Sequence, residues 1–101
     1  MTIRDLYSDN DIRIMKERHI VDSEIISSHY GDRDELIEDI KLRYAYYMAD
    51  SLVHNWQNDY FNRIYEAIMN TPFDDILKHN RTKGALEKWQ NQLLFLSRKR
   101  E

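Results

Sequence analysis

Cysteine is absent from this 101-residue chain, and it has only two glycines and one proline. Without cysteine there is no disulfide framework, no zinc finger and no thiol nucleophile. Tight hairpin turns and phosphate-binding loops depend on glycine, so its scarcity nearly excludes both and favours helices. We expect a single α-helical domain covering residues 1–101.

Long apolar runs are also missing. The first nineteen residues, "MTIRDLYSDNDIRIMKERH", carry charges throughout and contain no apolar core of a signal peptide. No segment approaches the roughly 20 apolar residues that span a bilayer. These absences predict a cytoplasmic protein with no membrane partner.

Apolar residues recur at helical spacing through most of the chain, and no alternating strand pattern is present. The predicted fold class is therefore all-α, an irregular bundle of five to six helices with a long central third helix. Gly31 is expected to take the left-handed conformation that often ends a helix. Pro72 is expected at the first position of a helix. The residues predicted to cap helix starts are Ser8, Asp9 or Asn10, then Asp22 or Ser23, Asp32, Thr71 and Thr82.

The predicted third helix, from residue 33 to about residue 54, is apolar on two sides. One stripe is Leu36, Ile37, Ile40, Tyr44, Tyr47, Met48 and Ser51, and the second is Leu42, Tyr46, Ala49 and Val53. A surface helix has one apolar stripe, so the second must be covered by other helices or by another chain. Closed two-fold dimers are the commonest assembly, which predicts a homodimer with Tyr46 central.

Charge is unevenly distributed. Residues 1–77 hold sixteen acids and eight basic residues, whereas residues 78–101 hold two acids and seven basic residues. The acidic run is either a solvated face or a surface for a protein partner. Its members are Asp22, Glu24, Asp32, Asp34, Glu35, Glu38 and Asp39.

The basic C-terminal segment gives an alternative function, a small nucleic-acid-binding regulator. Its cations could contact phosphates, and Trp89 could stack on a base. Against this, Trp89 lies on the apolar stripe of the last helix, with Leu86, Leu93 and Leu96, and the acidic body would repel a polyanion. The candidate cations are Lys78, Arg81, Lys83, Lys88, Arg98, Lys99 and Arg100.

Catalytic and metal-binding patterns are weak. The pairs Asp50/His54 and Asp75/His79 have i, i+4 spacing, which is typical of a surface hydrogen bond rather than a metal centre. Arg13 and His19 resemble the Arg–His spacing of HEPN-type ribonucleases, a combination that also arises by chance in a charged helix. Nucleophile-elbow, phosphate-loop and dinucleotide motifs are absent. The sequence therefore predicts a non-enzyme without cofactor or metal.

One segment carries a family resemblance. "DELIEDIKLRYAYYMADSLVHNWQNDYFNRI", residues 34–64, resembles the small helical phage early proteins of the Ocr antirestriction type. Those proteins have a helix ending in Ala-Asp-small-x-Val, then polar and aromatic residues, then a helix start of the Asp-x-Phe type. The matching residues are Ala49, Asp50, Ser51, Val53, Asp59 and Phe61.

The resemblance implies a dimer that imitates DNA with surface carboxylates and occupies host restriction enzymes. The chain departs from this family in its mild net charge of −3, its basic end, and His54 where the family has proline. The expected function is therefore the broader one, a phage or mobile-element inhibitor that binds a larger host protein or defence complex in the host cytoplasm. DNA mimicry is one version of it.

Overall fold

The computed structural model describes residues 1–53 and 59–98, and these residues form helices without any strand. This confirms the all-α class and the long third helix. A 3₁₀ helix, Ile3–Asp5, comes first. The α-helices are α1 Asp9–Glu17, α2 Ser23–Ser27, α3 Arg33–Leu52, α4 Asp59–Met69, α5 Phe73–His79 and α6 Lys83–Arg98. His54, the predicted end of the third helix, lies outside the described residues.

The chain divides into two compact units, Met1–Tyr44 and Ala45–Glu101, with the division inside α3. The first unit contains the 3₁₀ helix, α1, α2 and the first half of α3. Its buried apolar residues are Ile3, Ile12, Met15, Ile20, Val21, Ile25, Leu36, Ile40 and Tyr44. The second contains the rest of α3 with α4, α5 and α6. Its buried apolar residues are Ala45, Met48, Ala49, Phe61, Ile64, Ile68, Phe73, Ile76, Trp89 and Leu93.

The predicted helix starts are mostly confirmed by hydrogen bonds from backbone amides to capping side chains. Ser8 Oγ accepts from Asp11 at 3.2 Å, and Asp22 accepts from Ile25 at 2.8 Å. Asp32 accepts from Glu35 at 2.9 Å, and Thr82 accepts from Ala85 at 3.0 Å. Each bond satisfies an amide that a helix N-terminus otherwise leaves without a partner.

Gly31 does not adopt the left-handed conformation that we predicted. Among the described residues, the only positive φ belongs to His19, at 61°. His19 follows α1, where its amide donates to the Lys16 carbonyl at 3.2 Å and the Ile20 amide donates to the Met15 carbonyl at 2.9 Å. These two bonds form a Schellman motif, which needs a left-handed residue at His19. Gly31 instead donates its amide to the Glu35 carboxylate at 3.0 Å.

The boundary between α4 and α5 also differs from the prediction. Pro72 is the cap residue rather than the first helical residue, and α5 begins at Phe73. The Thr71 hydroxyl does not cap α5, because it donates to the Ala67 carbonyl of α4 at 2.7 Å. Thr71 therefore closes the preceding helix instead of opening the next one.

The first predicted stripe of α3 and the predicted stripe of α6 are largely buried, with three exceptions. Tyr47 and Ser51 of α3 are exposed, and Leu96 of α6 is 55% exposed. Ser97 takes the buried position after Leu93, and its hydroxyl donates to the Leu94 carbonyl at 2.8 Å. A helix accepts either i+3 or i+4 as the next inward position, and here the i+4 residue is buried.

Candidate functional site

The acidic run is organised around Arg43, a cation from α3 that lies beyond it in sequence. Arg43 Nε contacts Asp39 Oδ1 at 3.2 Å, and Arg43 Nη1 contacts Asp22 Oδ2 at 3.4 Å. Glu24 meets the guanidinium with both oxygens, each at 3.2 Å. Asp39 also accepts a hydrogen bond of 2.6 Å from the Tyr30 hydroxyl. We call these five residues the Arg43 cluster.

The Arg43 cluster changes the proton affinity of two of its members. Hydrogen bonds to Glu24 and then to Asp39 raise the pKa of the Arg43 guanidinium above its ordinary value. Burial, followed by the hydrogen bond to Asp39, raises the pKa of Tyr30 to about 12. Both groups keep their protons at neutral pH. The cluster therefore connects the start of α2 with α3.

Five of the seven predicted acidic candidates have partners within this unit. Asp22, Glu24 and Asp39 contact Arg43. Asp32 and Glu35 accept backbone hydrogen bonds at the start of α3. Asp34 and Glu38 are exposed and make no ion pair within the described residues. Since Asp34 and Glu38 are four residues apart on α3, they share one helix face.

The predicted second stripe of α3 is not uniform. Leu42 is 45% exposed, Tyr46 is 58% exposed, Ala49 is fully buried and Val53 is half-buried. The Tyr46 ring meets the Phe61 ring of α4 edge to face, with 5.4 Å between centroids. Of the four candidates, Leu42 and Tyr46 therefore present apolar surface to solvent.

The described members of the basic segment, Lys78, Arg81, Lys83, Lys88 and Arg98, are all exposed. None of the five forms an ion pair with another described residue. Lys99 and Arg100 lie outside the described residues. In the first unit, by contrast, Arg4, Arg13 and Arg43 each contact a carboxylate.

Trp89 is 5% exposed, and its indole stacks on the His79 ring with 4.6 Å between centroids and 13° between planes. Its aromatic face is therefore covered by α5 and is not open to a base, the contact considered from the sequence.

Arg13 and His19 both lie at the surface of the first unit. Arg13 donates to Asn10 at 2.7 Å and contacts Glu17 at 3.4 Å, while His19 lies beyond the end of α1. Both residues are exposed. The arrangement explains Arg13 as a surface residue of α1 with two local partners.

Of the two Asp–His pairs, Asp75 and His79 lie on α5, where the His79 ring stacks on Trp89. His54 lies outside the described residues. Within the part of the chain that the structure describes, no three His, Asp or Glu side chains are grouped to hold a metal ion. Within the same part, no helix combines the length and the apolar character that crossing a membrane requires.

The sequence analysis did not predict that the outer face of α6 presents an exposed aromatic ring. Phe95 is 70% exposed, and Phe95 and Leu96 line an open depression of about 720 Å³ together with Gly84, Glu87, Lys88, Asn91 and Gln92. The signal was present in the sequence. Phe95 lies two residues after Leu93, about 200° around the helix, and so outside the buried stripe.

Comparisons with known proteins give no match: no protein-family model, no curated protein and no solved structure is similar to this chain.

Proposed function

We propose that this chain is a non-catalytic protein-binding module whose contact surface centres on Tyr46 of α3. The observation that carries the proposal is the 58% exposure of this large aromatic side chain. Leu42, also exposed, precedes it by one turn on the same helix. Tyrosine is enriched among the residues that dominate binding energy at protein interfaces, because its ring buries a large area and its hydroxyl can still form a hydrogen bond.

Tyr46 is held in place by neighbouring rings. It contacts Phe61 edge to face, and Phe61 stacks with Tyr65 of the next turn of α4 with 6.5 Å between centroids. Phe61 is buried, so the row of rings is fixed to the core of its unit. A side chain already ordered before binding loses less conformational entropy when a partner covers it. This favours Tyr46 as an anchor over a freely rotating surface residue.

The partner we propose is a larger protein in the cytoplasm of a host cell, which the module would inhibit by occupying its surface. This is the broader version of what the Ocr resemblance implies. DNA mimicry has weaker support. Arg43 cancels one charge of its three carboxylates, and of the seven acidic candidates Asp34 and Glu38 alone combine exposure with the lack of a side-chain ion pair or hydrogen bond to another described residue.

Affinity capture with an immobilised chain tests this function. The wild-type protein and a Tyr46→Ala variant are incubated with host lysate, and captured proteins are quantified by mass spectrometry. Ile14→Ala is the matched control, because Ile14 is an exposed apolar side chain of α1. We expect one protein or complex at stoichiometric amounts with wild type and Ile14→Ala, and at least a tenfold lower yield with Tyr46→Ala.

Two results would contradict the proposal. One is the absence of any protein at a stoichiometric level with the wild-type chain. The other is equal capture by wild type and Tyr46→Ala when circular dichroism shows both to be folded.

A further inference from the structure

The outer face of α6 presents an aromatic ring among cations. Phe95 is 70% exposed, and it has no ring contact with another described residue. Lys88 precedes it by seven residues and Arg98 follows by three, spacings that place all three side chains on one face of a helix. The buried residues Trp89 and Leu93 occupy the opposite side.

From this arrangement we propose that the outer face of α6 binds single-stranded nucleic acid, with Phe95 stacking on a base and Lys88 and Arg98 contacting phosphates. An exposed ring with basic neighbours is the combination with which sequence-tolerant single-strand binders hold their ligand. Every base has a flat aromatic face, so one phenylalanine can stack on any of them.

Charge supports a polyanionic ligand on this helix in spite of the net charge of −3. In residues 78–98 the single acid is Glu87, against Lys78, Arg81, Lys83, Lys88 and Arg98. Since none of the five is in an ion pair with a described residue, binding a phosphate need not break an existing one. Lys88 and Arg98 are about 15 Å apart along the helix axis, enough for the face to follow more than one phosphate.

The single-stranded form is favoured over the duplex because of Phe95. In a duplex both faces of an internal base are covered by its neighbours, so a protein ring must first unstack a base step, whereas an unpaired base is open to it without that cost. Asn91 and Gln92 lie one turn before Phe95 and are exposed on the same open depression. Their amide groups can donate to and accept from the edge of a stacked base.

This site is independent of the proposed protein-binding function, because it uses α6 and does not involve Tyr46. Fluorescence anisotropy with labelled oligothymidine and oligouridine of about 15 nucleotides, and with a duplex of the same length, tests it on the full chain. The variants are Phe95→Ala, Lys88→Gln and Arg98→Gln. The controls are Tyr46→Ala for an exposed ring elsewhere and Lys16→Gln for an exposed cation of α1.

The expected results are quantitative. With Lys88 and Arg98 contacting phosphates, affinity for the single strand falls roughly sevenfold between about 50 and about 200 mM salt. Phe95→Ala lowers affinity about fivefold or more. Lys88→Gln and Arg98→Gln each reduce the salt slope by about 0.7. The two controls bind like wild type, and the duplex binds more weakly than the single strand.

Several outcomes would overturn the proposal. They are no binding at the lower salt, binding that Phe95→Ala leaves unchanged, or a preference for the duplex. Capture of an acidic protein that is lost in Phe95→Ala and Lys88→Gln, without oligonucleotide binding, would assign the face to a protein ligand instead. All substituted side chains are exposed, so unchanged thermal unfolding will separate loss of binding from loss of fold.

Discussion

Arg63 of α4 donates a hydrogen bond of 2.9 Å from Nη1 to the backbone carbonyl of Ser97, in the last turn of α6. The last four carbonyls of a helix have no partner within the helix, and Ser97 is 1% exposed. A cation at a helix C-terminus also opposes the negative end of the helix dipole. Arg63 therefore stabilises the end of α6 from the neighbouring helix.

Replacing this residue is expected to weaken the second unit. Arg63→Ala should lower the free energy of unfolding by about 1–2 kcal/mol, because a charge-assisted hydrogen bond is lost and a buried carbonyl is left without its donor. Urea denaturation measures the change. Arg13→Ala serves as the control, since Arg13 makes only exposed contacts on α1 and should cost about 0.5 kcal/mol or less. Equal effects of the two substitutions would contradict the role of Arg63.

Tyr30 predicts a loss of stability at alkaline pH. Its pKa is raised to about 12, whereas an unfolded tyrosine has a pKa of about 10, so the folded state holds the phenolic proton more tightly. The stabilisation is complete below about pH 10 and is lost as the pH rises towards 12. In Tyr30→Phe this part of the pH dependence should disappear. The measurement is urea unfolding between pH 8 and pH 12, and parallel curves for the two proteins would refute the prediction.

His19 should prefer glycine to alanine as a replacement. Its φ of 61° lies in the left-handed region, which glycine adopts without the steric cost that alanine pays. Because both substitutions remove the imidazole, their difference isolates the backbone effect. We expect His19→Gly to be about 1 kcal/mol more stable than His19→Ala in thermal unfolding. Lys16, inside α1, is the control position. There we expect Lys16→Ala to be more stable than Lys16→Gly in thermal unfolding, because glycine weakens a helix interior.

Gly84 offers a stabilising substitution. A Cβ added there meets nothing within 4 Å, and its φ is not positive. Gly84→Ala should therefore raise the free energy of unfolding by about 0.5–1 kcal/mol, because alanine restricts the unfolded chain and favours the helix. Gly31→Ala is the contrasting case, since its Cβ would lie 2.9 Å from a Glu35 carboxylate oxygen. If Gly84→Ala instead lowers the free energy of unfolding, another group occupies the space beside Gly84 in solution, and the prediction is wrong.

Self-association is the remaining prediction. The exposed rings of Tyr46 and Tyr47 leave apolar surface on α3, and in the purified protein, without the proposed partner, a second copy of the chain would cover it. Sedimentation over about a hundredfold concentration range should show a mass near twice 12.4 kDa at the high end. Tyr46→Asp should return the protein to a folded monomer. A constant mass of 12.4 kDa in the wild type would exclude the homodimer.

Local features of this fold were predictable from sequence because they depend on residues within one turn of each other. Ser8, Asp22, Asp32 and Thr82 cap the helices that follow them, as the capping patterns indicated. The left-handed residue was assigned to Gly31 because glycine tolerates that conformation best. The structure uses His19 instead, where the Schellman bonds at the end of α1 require it.

The candidate sites were harder to predict because they depend on contacts between distant residues. Arg43 meets Asp22 and Glu24 across 21 and 19 residues, a pairing that helix spacing does not reveal. The sequence therefore indicates either a solvated face or a partner surface for the acidic run, and it does not reveal the ion pairs with Arg43. The same limit applies to α6. Helix periodicity places Trp89 and Phe95 on different faces of this helix, but it does not show that the His79 ring of α5 covers the Trp89 indole.

The Arg43 cluster should make α2 the first part of its unit to open when salt is added. The helix α2 has five residues, far fewer than the roughly 12–15 that an isolated helix needs to persist in water. Its start is attached to α3 through Asp22 and Glu24, both of which are exposed at their contacts with Arg43. Added salt screens such contacts while leaving buried apolar packing almost unaffected. Amide exchange in α2 should thus accelerate with ionic strength while exchange at Ile40 and Tyr44, in the buried part of the same unit, stays constant.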